Sequence, residues 1–81
     1  MQTGLKTVLI KGYEVELEWC DYDGDGPRPY AYILKGNYSA SFEALEGEGG
    51  LTNEDTGDFR PVPQVTINLI DKWLNDQGYN D

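Results

Sequence analysis

Residues 20–30, CDYDGDGPRPY, set Asp21, Asp23 and Asp25 at alternate positions ahead of Gly26. This is the D-x-D-x-D-G opening of a calcium loop, in which side-chain oxygens at positions 1, 3 and 5 ligate a hard cation and a glycine at position 6 allows the turn. The match stops there. Position 12, where a bidentate glutamate belongs, is Tyr32, and Pro27 and Pro29 stiffen the chain between. The residues before the loop read as a strand, whereas an EF-hand places helices on both sides. Two chemistries remain. Asp21, Asp23 and Asp25 hold calcium, with Glu43 or Glu46 borrowed from elsewhere, or the stretch is an acidic hairpin connection built on Asp-Gly, a pair that favours turns. The second is the leading reading, so no metal and no other cofactor is expected.

A second set of carboxylates lies just upstream. In YEVELEW, Glu14, Glu16 and Glu18 fall on one side of an extended chain, about 6.7 Å apart at ~3.3 Å per residue. Continued by Asp21 to Asp25, they form a stripe of negative charge. Each DNA strand presents one phosphate per ~3.4 Å of axis, so such a stripe can occupy a surface built for Lys and Arg contacts with nucleic acid. The plainer alternative is a solvated sheet face, although such faces usually intersperse both signs; here Lys6 and Lys11 are the only cations nearby in sequence. Tyr22, inside the acidic loop, adds an aromatic of the kind that interfaces favour. Glu54, Asp55 and Asp58 form a second acidic patch.

Catalysis is poorly served. The chain has no histidine, which excludes Ser-His-Asp and Cys-His arrangements, as well as zinc sites built on Cys and His. Cys20, the single cysteine, follows Glu18 and precedes Asp21, surroundings that raise a thiol pKa and suppress its nucleophilicity. No phosphate-cradling Gly-rich motif with Lys is present. Carboxylates are plentiful, but glycosidase chemistry needs a cleft that 81 residues struggle to enclose. No enzyme activity is expected.

Charge narrows the partner. Fifteen acidic side chains against six basic ones give −9 at pH 7, just past the range of roughly 2–8 in magnitude usual for a small domain. Phosphate contacts require Lys and Arg, so direct nucleic-acid binding is disfavoured, as is an anionic membrane surface. The expected partner is a basic protein surface, such as that of a nucleic-acid-binding enzyme. The opening residues lack a basic segment followed by a long apolar run, and no apolar stretch approaches the ~18 residues that span a bilayer. With one cysteine and hence no intrachain disulfide, the expectation is a cytoplasmic protein.

The elements that must position these groups follow from periodicity. Tyr13, Val15, Leu17 and Trp19 alternate with the three glutamates, the mark of a half-buried strand, and LKTVLI before Lys11-Gly12 completes a β-hairpin. Tyr30, Tyr32 and Leu34, then a turn at Lys35-Gly36-Asn37, then Tyr38, Ala40, Phe42 and Ala44 give a second hairpin. The tyrosines of these strands, with Phe42, read as core and cross-strand pairs; Tyr79 lies beyond reach of that core. Residues 46–60 form a long acidic Gly-rich loop, pinned by Leu51 and Phe59 through a short hairpin around Asp55-Thr56-Gly57. In PQVTINLIDKWLNDQG, Val65, Ile67, Leu69, Ile70, Trp73 and Leu74 cover half a helical wheel, with Pro63 at the first helical position and Gly78 at the C-terminal cap.

The expected fold is thus a single α+β domain over 1–81: a small antiparallel sheet of about four strands, two hairpins, with one C-terminal helix on its apolar face. A short, strongly acidic, histidine-free chain of this overall type resembles phage-encoded inhibitors that block nucleic-acid-handling proteins. The resemblance implies a non-catalytic module that occludes a basic groove by nucleic-acid mimicry. Its alternatives are a calcium-stabilised structural or interaction module using the Asp21-Asp23-Asp25 loop, and a subunit of a larger assembly kept soluble by its charge.

Overall fold

The strict alternation of YEVELEW and of its neighbours does produce strands, and their turns lock the register. In the computed structural model, which describes residues 4–21, 24 and 26–79, β1 (Gly4–Ile10) and β2 (Tyr13–Cys20) pair antiparallel from Ile10↔Tyr13 to Gly4↔Trp19. The two residues between them, Lys11 at φ 54° and Gly12 at φ 85°, are both left-handed. That is the requirement of a two-residue turn whose twist matches the strands. β3 (Arg28–Lys35) and β4 (Tyr38–Ser41) form a second antiparallel hairpin around Gly36-Asn37, where Gly36, at φ 60°, is the left-handed residue.

Beyond Ser41 the fold departs from a four-stranded sheet. The alternation of Tyr38, Ala40, Phe42 and Ala44 predicts a strand through 44, yet the chain turns into a helix, α1 (Phe42–Glu48). Ser41 caps it: its Oγ accepts a hydrogen bond from the Ala44 N–H at 3.2 Å. Glu43, Ala44, Leu45 and Glu46 are strong helix formers, so a cap followed by propensity defeats a short alternating pattern. At the other end Gly49, at φ 79°, ends the helix by donating to the Leu45 carbonyl at 2.7 Å. Phe42 and Leu45, three residues apart, are both buried.

The Gly-rich segment is likewise ordered. β5 (Gly50–Asn53) and β6 (Phe59–Pro61) form the short hairpin around 54–58, with Thr52 opposite Phe59. Among the described residues the result is a six-stranded antiparallel sheet in the order β1-β2-β3-β4-β5-β6, carrying two helices rather than one. The expectation of about four strands fell short because the short hairpin that pins the Gly-rich segment joins the sheet by pairing β5 with β4, a long-range contact that its own residues do not announce.

The C-terminal helix α2 (Gln64–Asp76) closes the apolar face of the sheet. Pro63 is one residue outside it, its carbonyl receiving the Thr66 and Ile67 N–H groups. Thr66, Ile67, Ile70 and Leu74 are buried, a stripe narrower than the apolar half-wheel, which leaves Val65 and Leu69 in solvent. The core joins Ile67, Ile70 and Leu74 to Val15, Leu17, Ile33, Phe42, Leu45 and Leu51 in one cluster. Each such side chain contributes about 1.5–3 kcal/mol by leaving water. After the helix, Gly78 at φ 90° donates to the Asn75 carbonyl and Tyr79 to that of Leu74. This paired closure reverses the chain. It turns Tyr79 back onto the core, where its ring meets Phe42 edge-to-face at 5.7 Å. Tyr79, expected to lie out of reach, is therefore a packing residue. Among the described residues no helix is long and apolar enough to cross a membrane.

Candidate functional site

Helices cover one face of the sheet, so the side chains of the other remain open, and the register states which they are. Glu14 stands between Leu9 and Leu34, Glu16 between Thr7 and Tyr32, and Glu18 between Leu5 and Tyr30. The glutamates thus run down β2 as the middle row of the open face. The rows beside them are largely apolar: Leu9 is 71% exposed, Leu5 60% and Tyr32 46%, with Phe59 further across at 48%.

Four of the six cations are engaged elsewhere. Lys6, opposite Leu17, belongs to the helix-covered face, where its Nζ donates to Gln77 Oε1 at 2.8 Å. Lys35 lies over the Tyr13 ring at 5.0 Å, Arg60 over Tyr38 at 4.9 Å, and Lys72 pairs with Asp76 along α2 at 3.6 Å. Among the described residues, none of Glu14, Glu16 and Glu18 forms an ion pair. The consequence appears at the middle one. A hydrogen bond shared with Glu14, partial burial, and the charges of Glu14 and Glu18 all push the Glu16 carboxyl above its ordinary 4.5. Glu16 holds its proton more tightly because its nearest charged neighbours are carboxylates, which disfavour its ionised form.

Asp21 borders the row beyond the end of β2, its Oδ1 accepting the Gly24 N–H at 2.7 Å in a local turn. Tyr22, Asp23 and Asp25 lie outside the described residues, so the calcium reading has no geometry to stand on. Among the described residues no group of three or more acidic or cysteine side chains is placed to hold a metal. Cys20 is buried.

The second acidic patch is not joined to the first. Glu54, Asp55 and Asp58 ride on the β5–β6 turn, which Asn53 organises by accepting the Asp55 N–H at 2.9 Å and the Gly57 N–H at 2.6 Å. β2 and β5 are three strands apart in the sheet, about 14 Å at the usual spacing. The turn also lies at the end of the sheet opposite Asp21.

What residue types alone missed is the flank of the glutamate row. Tyr30 and Tyr32 read as core, yet they are cross-strand neighbours of Glu18 and Glu16 on the open face. The signal was available in their alternation with Ala31 and Ile33, which are the buried members of that strand. No protein-family model matches the chain, and no curated protein or solved structure matches it.

Proposed function

We propose that this protein is a non-catalytic binding module whose open sheet face docks a basic protein surface. One observation carries the reading: the Glu14-Glu16-Glu18 row is unneutralised among the described residues and flanked by exposed Leu5, Leu9 and Tyr32. An acidic centre with apolar margins supports electrostatic steering toward a cationic patch, followed by desolvation of the flanks. Partners that expose such a patch include nucleic-acid-binding enzymes. There a carboxylate row with about twice the phosphate spacing of one DNA strand would block the groove by occupying it. The mechanism is occlusion, with fast, salt-sensitive association.

The test is the affinity for an oligolysine peptide as a function of salt. Reversing Glu16 and Glu18 together to Lys should weaken binding roughly tenfold at low salt, each reversal replacing one attraction by one repulsion. Asp76→Lys made together with Asp71→Lys, an equal charge change but on α2, should do much less. Equal losses from the Glu16 and Glu18 reversal and from the α2 control would mean that net charge alone acts, and the open face would lose its role.

A further inference from the structure

A recess opens at one flank of the glutamate row, and the register explains it. β3 runs from Arg28 to Lys35, but β4 pairs only with its second half, Tyr32 to Lys35. At Phe42 the chain has already left the sheet for α1. The gap beside the first half of β3 is a half-open cavity of about 250 Å³, lined by Pro29, Tyr30, Tyr32, Phe42, Glu43 and Tyr79 among others. Sites for drug-sized ligands usually span about 300–1,000 Å³, so this one has room for a single side chain rather than a cofactor.

Its chemistry is aromatic and negative. Three tyrosines, residues whose ring faces carry partial negative charge, and the acidic Glu43 are among the lining residues. The charge reaches further in. Burial first, then Glu43 and Glu46, raise the Tyr79 hydroxyl above its ordinary 10. Glu18 and Glu16 are the cross-strand partners of Tyr30 and Tyr32, with Cβ atoms typically ~4.5–5.5 Å apart. The protein already seats its own cations on tyrosine rings in two places, Lys35 on Tyr13 and Arg60 on Tyr38.

We propose that this recess receives the guanidinium of a partner's arginine, stacked against the exposed Tyr32 with Glu43 as its carboxylate acceptor. A guanidinium is planar, weakly hydrated and able to meet a carboxylate bidentately, whereas an ammonium gives up its water reluctantly and cannot stack. The inference rests on the binding-module reading and sharpens it: the row attracts a basic surface, and the recess anchors one residue of it.

The experiment is an NMR titration of the full chain with N-acetyl-arginine amide, at ionic strength held constant with sodium chloride. Ring signals of Tyr30, Tyr32 and Tyr79 should move saturably, and the lysine analogue should bind about threefold to tenfold more weakly. Glu43→Gln, an exposed change that leaves the core alone, should weaken arginine binding about threefold or more, and Tyr32→Leu should do the same. Shifts that fail to saturate, that match those at the 54–58 turn, or that ignore both substitutions would overturn the proposal. The oligolysine measurement is independent of it. If Glu16 and Glu18 govern oligolysine binding while arginine leaves the rings unmoved, the recess fails and the module reading survives. If arginine titrates the rings while oligolysine is indifferent to the row, the module reading falls and the recess stands.

Discussion

Replacing Glu16 by Gln should make the protein more stable, because the glutamate row is a burden on the fold. Glu14 and Glu18 flank Glu16 on the same strand face at about 6.7 Å each. Two unit charges at that distance repel by ~0.6 kcal/mol in water, so the pair of neighbours contributes ~1.2 kcal/mol without screening. A Debye length of ~8 Å near physiological salt reduces this to ~0.5 kcal/mol. For a domain of this size the melting temperature should rise by about 2–4 °C at physiological salt and by about twice that at low salt. The assay is a melt of Glu16→Gln and the parent across a sodium chloride series at neutral pH. A second arm varies pH. The folded state holds the Glu16 proton more tightly than the unfolded chain does, since its carboxyl lies above 4.5. Stability linked to that proton is therefore fully present below about 4.5 and is lost as pH rises through the raised folded-state value. The advantage of Gln should accordingly shrink on acidification. A variant no more stable than the parent at low salt, or one whose gain ignores salt, would refute the picture of an unneutralised row.

Two further outcomes concern the parts that frame the site. Gly50→Ala would place a Cβ against the Arg60 carbonyl, 2.6 Å from Phe59 Cζ and 2.8 Å from Pro61 Cα. Because backbone of β6 must move, a loss of about 1–3 kcal/mol is expected in urea unfolding, with resonances of β5 and β6 most affected. Tyr79→Leu removes the edge-to-face contact with Phe42. About 1–2 kcal/mol should be lost, read as a lower urea midpoint at unchanged slope; an unaltered midpoint would mean that the ring does not brace the core.

Much of this was legible in residue order. Seven alternating residues place Glu14, Glu16 and Glu18 together on one side of a strand whatever surrounds it, because side chains in an extended chain alternate faces. Lys11-Gly12 and Gly36-Asn37 supply their own turns by local backbone preference, and the periodicity of α2 predicts a helix that buries one face. The switch at Ser41 was legible in principle, since a serine cap ahead of Glu-Ala-Leu-Glu is a local signal; the alternation of Tyr38 to Ala44 masked it.

The rest is tertiary. That Val65 and Leu69 face water, while Thr66 is buried, depends on where α2 lies across the sheet and not on its own pattern. That the glutamate row stands apart from Glu54, Asp55 and Asp58 follows from a six-strand order in which β3 and β4 intervene. The recess arises from residues distant in sequence. It needs the mismatch in length between β3 and β4, the departure of α1 at Phe42, and the Gly78 reversal that brings Tyr79 back across the fold. Local sequence determined which side chains share a face, because that depends only on neighbouring dihedral angles. Which faces are covered, and which rings meet a carboxylate, was decided only when the strands were laid side by side.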